Sequence, residues 1–464
     1  VAIARPRLGA LDTRFGEYDK FASTTIATRL PFPADLAKRR RFPENPRVPA
    51  NSKDVIVLGA GFVGVSAALH LQARGRSVAI VDRLGEVAGE TSFGNTGIVQ
   101  AEAVFPYMFP RAPAELFNAA LNRDPRAQIR YSALPSIAPF LWRYFLASTP
   151  SARLRTAHAM RGLVELALAE HQAFATPANT GPLLRSGGWI KAFRTPRGRD
   201  AGIVDAEETR PFGVAFDILD RDQLLALEPH LSEHAVGGVH FKDPMTTSNP
   251  EALAKSYAEL FFSRGGVLLK GDGLRLQASG DGWTVPTSDG PLSAREVVIA
   301  MGPWSNKLAG ALGYKLPFGV KRGYHMHYAP RGNAGLSRPV LDFEKGYVVT
   351  PMARGLRLTT GAEFARAEDP PSNAHLDRLE PFAREMYPIA ERRDATPWLG
   401  RRPCLPDMTP IIGPAPRHKG LWFDFGHQHL GLTLGPVSGR LLGQMMTGET
   451  TFIDPAPFRM ERFG

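Results

Sequence analysis

The chain has 464 residues, more than the ~250–300 at which a single hydrophobic core stops growing, so at least two domains are expected. A hydrophobic share of 43% and a charged share of 22% are ordinary for a soluble globular protein, and one cysteine, Cys404, excludes an internal disulfide and any multi-cysteine metal or iron–sulfur site. The net charge of +11 is concentrated at the front: residues 1–53 hold eleven Lys/Arg against five Asp/Glu, which describes a basic tail and not a basic groove for nucleic acid. No apolar run approaches the ~18–20 residues of a membrane-spanning helix and no apolar signal-peptide core opens the chain, so a cytoplasmic protein is expected, with peripheral attachment to the inner face of the membrane left open.

Residues 1–53 have no sustained period, carry prolines from Pro6 to Pro49 and include Lys38-Arg-Arg-Arg41. They read as an irregular basic extension ahead of the first core strand. The run Val55 to Leu58 then feeds Gly59-Ala-Gly61-Phe62-Val63-Gly64, an amphipathic segment to about Arg74, and a second apolar run ending at Asp82. That is a complete strand–helix–strand unit. Gly59 permits the tight turn, Gly61 lets a pyrophosphate approach the backbone, and Gly64 lets the helix pack close on the strand. The helix N-terminus offers free N–H groups and positive dipole to phosphates. Asp82, 18 residues after Gly64, is placed to accept hydrogen bonds from both ribose hydroxyls and would repel a 2′-phosphate.

Gly85 to Val99 is rich in small residues just beyond the carboxyl end of the second strand, where doubly wound sheets place ligands. Ser92, Asn95 and Gly97 can bring hydroxyl, amide and bare backbone there. From Pro106 to about Ala175 apolar residues recur at helical spacing, among them Ile137, Phe140, Leu141, Tyr144 and Phe145. Short strands (Gly188 to Phe193) and a helix (Asp222 to Leu227) follow. A helix from Pro250 to about Phe262, a strand at Gly265 to Leu269 and another at Val297 to Gly302 resume the alternation, so the first sheet is completed here around an inserted segment. Residues 310–395 read mostly as strands: Phe318 to Tyr328, Tyr347 to Pro351 and Leu356 to Gly361. The remainder holds two glycine-dense pieces, Trp398 to Asp407 and Gly426 to Gly435, the second running into a closing helix at Val437 to Met446.

The opening motif, Gly94-Asn-Thr-Gly97, the strand to Gly302 with Pro303-Trp304, Trp398 to Asp407 and Gly426 to Gly435 stand in an order that resembles the D-amino-acid oxidase superfamily of FAD enzymes. Phe140-Leu-Trp-Arg-Tyr-Phe145 is similar to the D-amino-acid dehydrogenase branch, beside glycine-oxidase and sarcosine-oxidase relatives. The resemblance implies an α/β fold: a discontinuous Rossmann-type FAD-binding domain (54–105, 236–306 and 396–464) and a mixed α+β substrate domain on an antiparallel sheet (106–235 and 307–395). It implies FAD at Gly59, Gly61, Phe62, Val63, Gly64, Asp82, Arg83, Ser92, Asn95, Gly97 and Gly302. Gly426, Leu430, Gly431 and Thr433 would lie at the isoalloxazine, where N–H groups and a helix N-terminus stabilise negative charge on the reduced ring. Cys404 lies too close to Pro406-Asp407 for the position that tethers flavin in some relatives, so non-covalent FAD is expected.

The family pattern W-x-G-x-R-P matches Trp398, Gly400, Arg402 and Pro403, which carries the carboxylate-binding arginine onto Arg402. Tyr347 matches a strand tyrosine that aids the carboxylate. Alternation along Arg322-Gly-Tyr-His-Met-His327 sends His325 and His327 to one face and Tyr324, a further candidate, to the other. His429 falls at a variable place in the glycine-rich loop. The four histidines 325, 327, 427 and 429 have no carboxylate or cysteine at ligand spacing, and no metal is expected. The implied reaction is hydride transfer from the α-carbon of a D-amino acid, secondary ones such as D-proline included, to flavin N5. An imino acid forms that water hydrolyses, and a quinone or another carrier receives the electrons. The alternatives are a glycine- or sarcosine-type oxidase using oxygen and, from another class, a flavoenzyme acting on an RNA-linked amine held by the basic tail. No RNA-binding module is visible, and oligomeric state is not legible.

Overall fold

A computed structural model of the chain describes residues 52–464. The basic extension, except for its last two residues, lies outside the described residues.

Two large sheets organise the described residues. In the first, Ser52–Leu58 is central, parallel on one side to Val78–Asp82 and on the other to Gly290–Ile299. Val267–Lys270 extends it beyond Val78–Asp82, and Leu421–Phe425 pairs with the far half of Gly290–Ile299, both in parallel. Helices cover the central strands, so Val55 to Leu58 and Val78 to Val81 are buried on both faces and read as continuous apolar runs. Gln277–Ser279, Gly282–Thr287 and Ile411–Pro414 add antiparallel edges.

The crossover helix Phe62–Ala73 lies under the closing helix Gly431–Thr447. Glycines spaced by four make the contact. A Cβ on Gly439 would stand 2.8 Å from the Ala67 backbone N, and one on Gly435 3.1 Å from the Phe62 carbonyl O. The closing helix begins six residues before the expected Val437 and runs through Pro436. A proline there removes the N–H that would bond the Leu432 carbonyl. His171 Nε2 takes that carbonyl instead at 2.8 Å, its Nδ1 facing the Tyr257 hydroxyl at 2.9 Å.

The second sheet is built on Gly319–Pro330. It pairs antiparallel with Gly355–Thr359, which continues through Tyr347–Met352 and Val340–Asp342. It pairs on its other edge with Trp398–Cys404. The sheet is mostly antiparallel, with parallel pairs at Val340–Asp342 against Trp189–Phe193 and at Ala362–Phe364 against Ala127–Ile129. Two expected boundaries shift. Gly237–Phe241 hydrogen-bonds to Trp189–Phe193 and Phe216–Leu219, and Trp398–Cys404 to Gly319–Pro330, so both strands belong to the second sheet and not to the first. The expected helical stretch is three helices, Pro113–Ala120, Leu134–Ala147 and Pro150–Ala175. No helix among the described residues is long and apolar enough to cross a membrane.

Candidate active site

A cavity of about 1410 Å³ runs from the first glycine turn to the inner face of the second sheet. At its first end Gly59 adopts φ +107°, and a Cβ there would meet the Ala300 carbonyl O at 2.5 Å. The Gly64 Cβ position lies 1.9 Å from the Gly59 carbonyl O, so only glycine lets the helix sit this close to its own loop. Gly61 caps the helix without a side-chain acceptor, leaving first-turn N–H groups for a ligand. Ser92 Oγ accepts the Phe62 N–H at 3.2 Å. Asp82 accepts the N–H groups of Ala60 at 3.0 Å and Leu84 at 2.8 Å, one on each carboxylate oxygen. Each oxygen keeps a lone pair, and the residue lines the cavity. Arg83 stacks over the Trp304 ring at 4.1 Å and pairs with Glu90.

The middle of the cavity is walled by tight packing. The Trp398 ring lies where a Cβ on Gly94 would be, 2.1 Å away, and it stacks on His325 with centroids 4.8 Å apart. Asn95 Oδ1 accepts the Gly97 N–H at 2.9 Å. Beyond it, the loop after Leu421–Phe425 brings Gly426, His427, His429 and Gly431 to the wall, with Leu432 on the first turn of the closing helix. Gln428, at φ +57°, locks this loop to the second sheet by donating its N–H to the Pro403 carbonyl O at 2.9 Å and its side-chain amide to the Met408 carbonyl O. Asp424 and His427 are buried side by side, Oδ1 to Nε2 3.4 Å, with no hydrogen bond to either carboxylate oxygen or to that nitrogen. Burial pushes the Asp424 carboxyl well above the usual carboxylate range and holds His427 down to about 3, so the imidazole is neutral at pH 7.

At the far end stands Arg402. Its guanidinium donates to the carbonyl oxygens of Gly361 at 2.9 Å and Thr360 at 3.2 Å. It occupies the space a side chain on Gly323 would need, since a Cβ there would lie 2.4 Å from Nη2. Beside it, His429 packs its ring on Tyr107, centroids 5.1 Å apart. Burial, then the Arg402 and Lys321 charges, hold His429 down to about 3. Tyr107 exposes 61% of its surface, and it lines the cavity.

Of the residues singled out from sequence, Gly59, Gly61, Phe62, Val63, Asp82, Arg83, Ser92, Asn95, Gly302, Gly426, Gly431, Arg402 and His429 line this cavity. Others do not. Gly64 faces the loop backbone, and the Gly97 Cβ position faces the Thr247 carbonyl O at 2.3 Å. Leu430 is core, and Thr433 turns its hydroxyl to the Gln100 N–H at 3.0 Å. Tyr347 is directed away, its hydroxyl donating to the Phe382 carbonyl O at 3.1 Å and accepting from Arg194 at 3.3 Å. Tyr324 touches the cavity wall, but its hydroxyl is spent on the other face of the sheet. It donates to Glu363 at 2.6 Å and accepts from Arg322 at 2.6 Å and the Ser372 N–H at 3.1 Å. Both hydroxyls are therefore engaged within the protein and not turned to the chamber of Arg402. The tyrosines of the chamber are Tyr107 and Tyr144, and the sequence reading took neither of them, nor Lys321, for a site residue. A loop tyrosine with no motif and a lysine inside a strand leave no local signal.

A glycine-turn crossover ending in an acid, joined by one cavity to a guanidinium on a second sheet, defines a two-sheet dinucleotide-dependent oxidoreductase. The chain belongs to the FAD dependent oxidoreductase (DAO) family, whose model matches residues 54–445. It is 30% identical over 420 residues to a D-amino-acid oxidase of Bradyrhizobium diazoefficiens, covering 89% of this chain and 99% of the relative. It is 31% identical over 429 residues to a D-amino acid dehydrogenase of Cereibacter sphaeroides, covering 88% and 95%. Among solved structures, the glycine oxidase of Geobacillus kaustophilus shares the fold at a TM-score of 0.68 and 22% identity, over 88% of this chain and 98% of that one. The protein is an FAD-dependent oxidoreductase. Its residues fit the coenzyme: side chains at Gly59 and Gly94 would collide with backbone or ring, and Asp82 lines the cavity with acceptor capacity to spare.

Proposed function

We propose that the protein oxidises D-amino acids at the α-carbon, releasing a 2-oxo acid and ammonia after hydrolysis of the imino acid. The observation that carries this reading is Arg402: a guanidinium anchored by two carbonyls, lining the cavity, with no carboxylate partner among the described residues. A planar guanidinium grips a carboxylate through parallel charge-assisted bonds, about 1.5–3 kcal/mol each. The names of the relatives, D-amino-acid oxidase and D-amino acid dehydrogenase, point the same way.

On this reading the first sheet with its glycine turn holds FAD, without a covalent tether, and the second sheet caps it. Gly59, Gly61, Phe62 and Val63 meet the pyrophosphate, Asp82 the adenosine ribose, and the loop Gly426 to Gly431 the ring. FAD, when bound, supplies the two-electron acceptor that takes the α-hydrogen as hydride. The chain itself orients and desolvates. Arg402 fixes the carboxylate, and neutral His429 and Tyr107 wall the chamber without competing for it. The substrate amine loses its ammonium proton to solvent before reaction, so that its lone pair can assist hydride loss, and no side-chain base is required. The electrons pass to a quinone or another carrier. The relative named an oxidase favours oxygen as the second reading, and oxygen consumption measured against dye reduction separates the two.

The test is an anaerobic screen of D- and L-amino acids, following loss of the oxidised flavin absorbance. D-amino acids should bleach the protein and their L-enantiomers should not. A yellow protein that no amino acid bleaches would sink the proposal.

A further inference from the structure

Lys321 is a second cation in the chamber that holds Arg402. It stands on Gly319–Pro330 directly opposite Arg402 of Trp398–Cys404, in antiparallel register. Residues so paired send their side chains to one face with Cβ atoms about 4.5–5.5 Å apart, and like charges placed this way repel. Lys321 is only 7% exposed, and it lines the cavity. Its Nζ lies 3.9 Å from the centre of the Tyr144 ring and 3.5 Å from Met408 Sδ. Neither neighbour is an oxygen acceptor, although an ammonium carries three donors. Among the described residues no carboxylate pairs with Lys321 or with Arg402.

A buried charge without a partner is costly, and two across one strand pair more so. The chamber offers no internal relief. Of the acidic side chains elsewhere on the cavity wall, Glu90 is engaged with Arg83, Asp124 with Arg126, Glu208 with Arg153 and Asp205 with Lys191, while Asp424 lies against His427. The nearer polar rings, His429 and Tyr107, are neutral and add no repulsion to an incoming anion. One carboxylate on Arg402 would leave the ammonium still unpaired.

We propose that Lys321 holds a second anionic group of the substrate, so that the enzyme prefers amino acids with a second carboxylate, the aspartate and glutamate class, over neutral ones of equal size. This rests on the reading of Arg402 as the α-carboxylate anchor. The aromatic walls from Tyr144 and Phe364 would then pack the methylenes between the two acids, while the ends meet the two cations. Lys321 sets specificity; the reacting α-carbon is positioned by Arg402.

The experiment uses the full chain loaded with FAD. Half-bleaching concentrations are measured anaerobically for D-glutamate against D-glutamine and D-aspartate against D-asparagine, pairs that differ in charge and hardly in shape. Alongside, binding of glutarate against its monoamide, neither of which can be oxidised, is read from the shift of the flavin absorbance. The wild type should favour the acid over the amide at least ten-fold in both measurements. Lys321→Met should bring both ratios to about one, Lys321→Arg should keep most of the preference, and Arg402→Leu should weaken acid and amide together with the ratio surviving. A wild type that treats acid and amide alike, or a Lys321→Met protein that keeps the preference, overturns the proposal. The wild-type ratio decides even if the methionine variant does not fold. If no D-amino acid bleaches the flavin while glutarate still binds in a Lys321-dependent way, the proposed reaction falls and the second anion site stands. Bleaching by D-glutamine as readily as by D-glutamate gives the reverse.

Discussion

The two ends of the cavity are built on opposite plans. The glycine turn end is built mainly from one continuous stretch, Gly59 to Asp82, which holds several of its own contacts: Gly64 on Gly59, Ala60 on Asp82. The guanidinium end is drawn from distant segments. Arg402 is anchored by Thr360 and Gly361, faces Lys321 across a strand pair, and shares its chamber with Tyr107 and His429. On the proposed reading the first end takes an invariant coenzyme and the second a substrate that can vary. At the second end, single side chains can change without disturbing the turn that holds the coenzyme, so selectivity can shift there at little structural cost.

If the ends are this separable, substitutions should divide cleanly. The largest effect is expected at Gly64. A valine there would drive its Cβ into the Gly59 carbonyl, in a region packed too densely to yield, and the purified protein should retain less than about a tenth of the wild-type flavin. Arg402→Leu should keep its flavin and raise the half-bleaching amino-acid concentration at least about ten-fold, one charge-assisted bond's worth. A colourless Arg402→Leu protein would erase the separation. Burial, and then Arg402, hold the Lys321 ammonium down to about 8. A bound carboxylate favours the charged form and raises that value, so glutarate affinity should be flat below about pH 7 and fall above pH 8, by up to about ten-fold per pH unit. His429 at about 3 stays neutral over that range, a guanidinium keeps its proton, and burial pushes Cys404 away from that range, above its usual thiol value, which leaves Lys321 as the group the profile follows. In Lys321→Met the profile should be flat. The smallest effect is expected at Tyr347, whose hydroxyl faces away from the cavity: Tyr347→Phe should lose about 1 kcal/mol in denaturant unfolding and leave half-bleaching within about two-fold.

The same contrast governs how far the fold could be read in advance. The crossover was legible because strand, turn, helix and terminal acid follow one another. Arg402 was legible only through the W-x-G-x-R-P pattern. The tyrosines failed for a reason of facing. Tyr324 and Tyr347 sit on strands as expected, but alternation puts Lys321, Gly323 and His325 on the cavity side, and Tyr324 spends its hydroxyl on Glu363. The closing helix was started too late because Pro436 reads as a breaker, and the residue that permits it, His171, lies far away in sequence. The segments Gly237–Phe241 and Trp398–Cys404, expected in the FAD-binding domain, pair into the second sheet, because pairing, unlike strand propensity, is not written locally.

The closing helix has one more consequence. Its glycines seat against the crossover helix laid down almost at the start of the described residues, and Leu421–Phe425 completes a sheet begun at Ser52. Without residues past 431 the crossover helix lacks the helix that Gly435 and Gly439 bring against it. A truncation that stops short of that helix should therefore be made in full measure yet never turn yellow.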